Sequence, residues 1–440
     1  MSDVQIREMG GVYTLVWEQE GIGVRIDRLV EDSKFSVTGE VQIKLVGRHI
    51  HQARMNLTST RGRADVIRQC TSRQGAEHID WNSFLEEASI TVLEKFRTGA
   101  SVIDFLDYEP PNKSNFLFDP FLLDGEANLI YGAGGSGKSY FASYVAAHVS
   151  KGYIAPDGFE VPKSKVLYLD YETGPEEIFS RLKGVQKGLQ MDENPEIIYH
   201  PSAHPLASEI DKIQRIVAEH DIDLVIVDSV GYACGGEPET AMNAINYYNA
   251  LRQLSVTSLS IGHVSKDRNS SSPFGSVYWI NGSRMVWEMV RSQESGMNYF
   301  DVGILHRKIN NGALKSPVGF RLTFENEGVY FDSQEVKLIS EVEEKLPLKD
   351  RIYNLLEAHE SLDVKELASM LDRTDGTIRK TLHRNENVFY NLKEGGKSGV
   401  WILAETSDQV APNVNIFEDE DIFGPAVQPA QDSPKGLFDD

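Results

Sequence analysis

The segment GAGGSGKS, residues 132–139, constrains the fold more than any other stretch of the chain. The apolar run ANLIY precedes it and the run YFASYVAA follows it, which predicts a strand before the segment and a helix after it. Glycines allow the positive φ angles and close backbone approach by which successive amides converge on phosphate oxygens. The segment therefore predicts a phosphate-binding loop at the tip of a buried strand.

The chemistry of the loop assigns roles to its side chains. Lys138 is placed to reach the β- and γ-phosphates and Ser139 to ligate Mg²⁺, so the expected ligand is ATP with Mg²⁺. A Gly/Ser surface turn is the alternative interpretation, and the flanking strand and helix argue against it. The residues predicted to bind the nucleotide are Gly132, Gly134, Gly135, Ser136, Gly137, Lys138, Ser139 and Tyr140.

Length and composition indicate a soluble protein of several domains. A chain of 440 residues, 40% hydrophobic and 25% charged, has material for two to four globular domains. No run approaches the length of an uncharged membrane span, and the N-terminus lacks an export signal, so we expect a cytoplasmic protein with no membrane partner. Cys70 and Cys234 have neither disulfide nor zinc-site spacing.

Charge is segregated along the chain. The net charge is −22, yet residues 48–73 hold six arginines against Asp65 alone, which makes a local basic face plausible. Residues 405–440 hold nine carboxylates against Lys435 and have little core-forming material. They are predicted to be an acidic disordered tail, with docking on a replication protein as a further hypothesis.

Element patterns divide the chain into four parts. Residues 1–106 read as strands followed by two helices, an N-terminal α+β accessory domain. Residues 116–334 alternate short apolar strands with helices, which predicts a parallel sheet in an α/β domain. Residues 347–404 read as three helices and a hairpin. The acidic tail completes the chain.

The module at 347–404 is similar to a winged helix-turn-helix, because the third helix carries several cations before the hairpin. A small helical packing or oligomerisation module is the alternative. The predicted nucleic-acid contacts on this helix are Arg379, Lys380 and Arg384.

Carboxylates end two of the predicted strands of the α/β domain. DLVIVDSV places Asp228 where it can hold Mg²⁺ opposite Ser139. Ser229 follows, so the chain lacks the Asp-Glu pair by which AAA+ type ATPases place their base directly after the metal aspartate, and the base must come from elsewhere. KVLYLDYETG offers Glu172 as the base that accepts a proton from the attacking water, with Asp170 on the same strand as the weaker candidate.

The ordered set GAGGSGKS, LYLDYET, LVIVDSV and SIGHVSKD resembles the RecA-like ATPase core, and within it the RepA-type hexameric replicative helicases. The resemblance covers about residues 116–332, half of the chain. It implies Lys138 on the phosphates, Ser139 and Asp228 on Mg²⁺, Glu172 as the base, and His263 as a sensor of the γ-phosphate.

The same resemblance implies residues that act between subunits or on nucleic acid. Arg307 and Lys308 in ILHRKINNG correspond to the place that supplies cations to the neighbouring subunit's nucleotide, and Arg284 is a competing candidate. Lys266 and Arg268 lie in a loop that family members use to contact a nucleic-acid strand. A homohexameric ring on single-stranded DNA is the implied assembly.

Three functions fit these features. The first is a hexameric, ATP-driven DNA motor, a replicative-type helicase. The second is an ATP-gated DNA-binding switch or helicase loader that does not unwind. The third is a regulatory RecA-fold ATPase that acts on protein partners. The net charge of −22 is consistent with this third function.

Overall fold

The computed structural model describes residues 4–99, 105–106, 108–109, 112, 115–154, 160–191, 193–264, 273–274, 276–336, 345–392 and 399–404. The chain forms two compact units, which divide between Lys345 and Leu346. The acidic tail, most of the predicted linker at 107–115, and the loop cations Lys266 and Arg268 lie outside the described residues.

Five antiparallel strands and two helices begin the first unit. They are β1 (Gln5–Met9), β2 (Val12–Trp17), β3 (Ile22–Glu31), β4 (Val37–Leu45), β5 (Arg48–Asn56), α1 (Thr60–Thr71) and α2 (Trp81–Thr98). The strands pair in sequence order. Burial alternates along β4, and the inward side chains form a core with the helices around Trp17, Trp81 and Leu85. The strands and helices match the order that the sequence predicts.

The rest of the first unit is built on a nine-stranded sheet. Its strands, with two short pairs, are β6 (Phe116–Phe118), β7 (Leu122–Leu123), β8 (Ala127–Gly132), β9 (Tyr153–Ile154), β10 (Glu160–Val161), β11 (Val166–Asp170), β12 (Ile197–Pro201), β13 (Leu224–Asp228), β14 (Thr257–His263), β15 (Met285–Ser292), β16 (Tyr299–Ile309), β17 (Val318–Glu325) and β18 (Gly328–Gln334). The helices are α3 (Lys138–Lys151), α4 (Pro175–Gly188), α5 (Leu206–His220), α6 (Val230–Ala233), α7 (Ala241–Leu254) and α8 (Val277–Gly282).

The sheet order is β12-β11-β13-β14-β8-β15-β16-β17-β18. The first six strands are parallel, and β16 to β18 continue the sheet antiparallel. Every residue of β13 is buried, and its successive side chains enter two different cores. Helices cover both faces, as continuous apolar strands require. The predicted α/β fold with a mostly parallel sheet is confirmed.

Parallel register brings the polar strand ends to one edge of this sheet. Asp170 at the end of β11 pairs with Asp228 at the end of β13. His263 at the end of β14 pairs with Gly132 at the end of β8. Four motifs that are far apart in sequence therefore meet at the carboxyl edge, where ligands bind in sheets of this kind.

The N-terminal sheet docks on α5 through ion pairs. The Arg215 guanidinium donates to Asp27 Oδ1 at 2.6 Å, to Asp27 Oδ2 at 2.8 Å and to Glu40 Oε2 at 2.7 Å. These bonds, chiefly the one with Asp27, raise the pKa of Arg215, and the bond from Arg215 lowers the pKa of Glu40. Arg28 adds a pair with Asp211 at 3.1 Å. Ion pairs are thus a large part of this contact, and Met9 adds apolar packing against the cluster that contains Ile213 and Val217.

The second unit contains α9 (Leu348–His359), α10 (Val364–Leu371), α11 (Asp375–Arg384), β19 (Phe389–Leu392) and β20 (Val400–Leu403). The two strands pair antiparallel. A capping box between Asp363 and Glu366 starts α10. Leu367, Ile378 and Trp401 lie in its core. Three helices and a hairpin are the elements that the sequence predicts here.

Within the described ranges, the structure has no helix that combines the length and the apolar character needed to cross a membrane.

Replacing Arg215 with Ala is expected to loosen the N-terminal sheet from α5. Two carboxylates would lose a charged donor, which costs about 1.5–3 kcal/mol per hydrogen bond to a charged group. Hydrogen exchange should be faster in the variant at residues 206–220 and 22–31. Added salt should also speed exchange at these residues in the unsubstituted protein, but less. Arg252→Ala, on the exposed face of α7, is the control. Equal protection in the two variants would contradict the proposed docking.

Candidate nucleotide-binding site

The loop between β8 and α3 has a backbone that only glycine fits at two positions. A Cβ on Gly132 would lie 2.4 Å from the carbonyl oxygen of Met289 on the neighbouring strand. Gly137 has a φ of +96°, and a Cβ there would lie 3.0 Å from the ring of Phe300. Close packing against β15 and β16 therefore requires these glycines.

Lys138 lies inside the loop with 4% of its surface exposed. Its Nζ donates to the carbonyl oxygens of Gly132 at 3.1 Å and Ala133 at 2.7 Å. Burial lowers the pKa of Lys138 to about 8, against the opposing effects of Asp228 and Glu172. A buried ammonium at the start of a helix is suited to binding the oxygens of a polyphosphate.

Asp228 lies at the end of β13 beside Ser139. Its Oδ2 accepts a hydrogen bond from the Tyr168 hydroxyl at 2.7 Å. Burial raises the pKa of Asp228, and hydrogen bonds from Tyr168 and Ser139 act in the opposite direction. A carboxylate and a hydroxyl are hard oxygen donors, and Mg²⁺ takes one or two such protein ligands and completes its shell with phosphates and water. These two residues fit the predicted Mg²⁺.

Glu172 lies just beyond β11, with its carboxylate facing the same cavity. Its Oε1 accepts a hydrogen bond from Ser229 and lies 3.4 Å from His263 Nε2. The interaction with His263 is the largest cause of a lowered pKa at Glu172, and the bond from Ser229 adds to it. Glu172 is therefore ionised at neutral pH and able to accept a proton.

A cavity of about 280 Å³ connects these groups and brings in two arginines that sequence reasoning missed. Arg181 on α4 pairs with Glu177, and its buried Nη1 has no hydrogen-bond partner among the described residues. Arg291 stacks on the Phe300 ring, 3.9 Å from its centroid, and donates to the carbonyl oxygen of Gly135. In the sequence, Glu177 and Arg181 have the i,i+4 spacing of an ordinary ion pair on a helix surface. Nothing in the sequence therefore marks Arg181 as a residue of this site.

The structure brings together the predicted loop residues, Asp228, Glu172 and His263. Tyr140 also lines the cavity, and its ring packs edge to face against Phe324.

The predicted intersubunit cations lie elsewhere. Arg307 pairs at 2.8 Å with the fully buried Glu288, which also binds Lys345 at 2.5 Å. Lys308 Nζ donates to the carbonyl oxygens at the end of α8, and Arg284 lies 3.4 Å from Glu126. In the sheet register, Arg307 lies opposite the bulge between Val286 and Trp287, at the level of the middle of β8, and it does not line the cavity.

The cations of α11 are exposed. Within residues 345–392 and 399–404, no ion pair joins Arg379, Lys380 or Arg384 to a carboxylate. His383, on the same helix, contacts Glu386 at 2.9 Å. These three cations form one helical surface that is able to contact an anionic polymer.

Comparison with known proteins finds a family match for the part of the chain that contains the phosphate-binding loop. Residues 93–269 match the AAA domain family. Among solved structures, the chain is similar to a KaiC-like protein from the hyperthermophilic archaeon Pyrococcus horikoshii OT3, with 14% identity over 50% of this chain and 97% of that chain. The TM-score of 0.36 is too low for that likeness to carry an argument. No curated protein matches.

The match over residues 93–269 and the geometry of the loop support a RecA-like P-loop ATPase domain in this part of the chain. Proteins of this class bind ATP with Mg²⁺ and hydrolyse it. The narrower resemblance to RepA-type helicases stays a prediction.

Replacing Tyr168 with Phe should weaken Mg²⁺ binding, because the hydroxyl that orients Asp228 is lost. Outer-sphere partners of this kind are typically worth about 10-fold in metal affinity or more. We expect the Mg²⁺ concentration for half-maximal ATPase activity to rise about 10-fold, as measured by Mg²⁺ titration at fixed ATP.

The matched control is Tyr247→Phe, because Tyr247 is a buried tyrosine whose hydroxyl bonds to Ser260. It should leave the Mg²⁺ midpoint unchanged. An unshifted midpoint for Tyr168→Phe would show that Asp228 does not depend on this hydroxyl.

Proposed function

We propose that this protein is an ATP-hydrolysing motor on single-stranded DNA, a replicative-type helicase that works as a hexameric ring. One observation carries the proposal. Lys138, Asp228, Glu172 and His263 line one cavity, whereas Arg307 does not line it and is paired with Glu288. A site that combines the phosphate-binding lysine and the base without Arg307 fits hydrolysis completed by a neighbouring copy.

The proposed mechanism assigns each side chain one task. Lys138 binds the β- and γ-phosphates, and Glu172 accepts a proton from the attacking water. The lowered pKa of Glu172 keeps it ionised for that role. His263, which contacts Glu172, senses the γ-phosphate. Ser139 and Asp228 would hold Mg²⁺, which would offset the negative charge of the phosphates.

Arg181 is an additional cation for the same phosphates. Its Nη1 is buried without a hydrogen-bond partner in the described part of the chain, although the side chain lines the cavity. A guanidinium with an unused donor costs free energy unless an anion binds there. A triphosphate supplies that anion.

DNA contact is assigned to two places. Lys266 and Arg268 come soon after His263 in the sequence, and six copies of this segment would concentrate positive charge around a ring axis. The exposed cations of α11 are suited to duplex DNA. The acidic tail is assigned to a replication protein partner.

A second candidate function is supported by a different cavity. A cavity of about 1000 Å³ beside His263 is lined by Glu237 and Glu239, and Glu172 reaches it. Carboxylates repel a phosphate backbone and attract cationic side chains. A regulatory ATPase that acts on a protein partner, or a loader that binds DNA without unwinding, would use the same nucleotide site.

The deciding experiment measures ATPase turnover of the full chain with and without single-stranded DNA. We expect several-fold stimulation, DNA binding that falls steeply with salt, unwinding of a forked duplex, and a particle mass of six copies with nucleotide bound. Lys138→Ala should abolish turnover. Stimulation without unwinding would favour the switch or loader, and turnover indifferent to DNA would favour the protein-directed ATPase.

The α11 surface is tested by the double variant Arg379→Ala with Arg384→Ala. We expect duplex DNA affinity to fall about 10-fold at 0.1 M salt and the salt slope to decrease by about 2, because two phosphate contacts are lost. Lys349→Ala with Lys365→Ala removes the same charge from α9 and α10 as the control. Equal losses in both double variants would contradict a specific role for α11.

A further inference from the structure

Asp170 is a buried carboxylate, 4% exposed, that forms no ion pair with a lysine or arginine in the described part of the chain. Its negative charge is satisfied by hydrogen bonds alone. Oδ1 accepts from the amides of Glu172 and Thr173, each at 3.0 Å. Oδ2 accepts from the Thr173 hydroxyl at 3.0 Å and from the Tyr199 hydroxyl at 3.0 Å.

These bonds fix the turn that carries Glu172. A carboxylate that accepts two successive amides holds the backbone in one conformation, as aspartate does in turns and at helix starts. The Tyr199 hydroxyl anchors the same carboxylate to the adjacent strand β12. Two main-chain hydrogen bonds hold the same turn. The Ser202 amide donates to the carbonyl oxygen of Asp170 at 2.9 Å, and the Tyr171 amide donates to the carbonyl oxygen of Asp228 at 2.7 Å.

The surroundings of Asp170 and Glu172 differ although they are two residues apart. Within the described part of the chain, the hydrogen bonds of the Asp170 carboxylate go to the turn and to Tyr199, and the side chain is enclosed. Glu172 is about one-third exposed and faces both cavities beside His263. Only Glu172 is accessible to a water molecule near a bound phosphate, which excludes Asp170 as the base.

We propose that Asp170 is a positioning residue that directs the Glu172 carboxylate toward the attacking water. This inference rests on the proposed function of Glu172 as the base. The physical reason is distance: a reacting group displaced by about 1 Å costs on the order of 100-fold in rate. Without Asp170, the amides of Glu172 and Thr173 lose their acceptor and the turn has several conformations of similar energy.

The test compares Asp170→Ala, Asp170→Asn and Glu172→Gln in the full chain. Asp170→Ala should lower kcat about 10- to 100-fold. In the Glu172→Gln background, the same substitution should change the affinity for Mg²⁺-ATP, measured by calorimetry, less than about threefold. Asp170→Asn keeps an oxygen acceptor for the two amides and should retain kcat within about fivefold.

The double variant Asp170→Ala with Glu172→Gln separates positioning from a general structural role. If Asp170 acts through Glu172, its loss should not lower the residual rate of Glu172→Gln further. A multiplicative loss in the double variant would overturn the inference. A loss of more than 100-fold in Asp170→Asn would also overturn the inference. Because Asp170→Asn keeps the shape of the side chain, this variant tests the inference even if Asp170→Ala does not fold.

Asp223→Ala is the matched control. Asp223 also accepts a backbone amide, that of Lys165 at 2.9 Å, but at the opposite end of the same strands. It should leave kcat unchanged. If Glu172→Gln itself turns over normally, the proposed base is wrong. If Glu172→Gln is inactive and Asp170→Ala is fully active, the positioning inference alone is wrong.

Discussion

The buried ammonium of Lys138 is the interaction on which the geometry of the site depends. It occupies a loop that contacts the neighbouring strand closely enough to exclude any Cβ at Gly132. Burial disfavours its charge, and the carboxylates of Asp228 and Glu172 favour it. Lys138 and Glu172 stabilise each other's ionised forms, whereas the charge of Glu172 raises the pKa of Asp228, so the strand ends of the sheet are coupled electrostatically.

The sequence was sufficient for the parts of the fold that periodicity controls. Continuous apolar strands such as LVIVD indicate burial on both faces, and the sheet has that burial because α3 covers one face and α5 and α7 the other. Motif order then placed Asp228, Glu172 and His263 at one edge, since parallel strands end on the same side. The register that pairs Asp170 with Asp228 could not be predicted, because it depends on strand neighbours.

The sequence was insufficient where a contact joins distant segments through side-chain geometry. The sequence LDYET favours Glu172 over Asp170 as the base only by side-chain length and position, whereas the hydrogen bonds of the folded turn distinguish the two directly. Arg291 reaches the loop because β15 lies beside β8. The arginines of residues 48–73 suggested a basic face, but Arg48 and Arg63 donate to carbonyl oxygens of their own domain.

Glu288 and its two cations determine how firmly Arg307 is held. A fully buried carboxylate with a single cation would strongly resist losing it, because an uncompensated charge would be left in the interior. Glu288 has two, and Lys345 can neutralise it when the arginine departs. The second cation thus lowers the free-energy cost of separating Arg307 from Glu288.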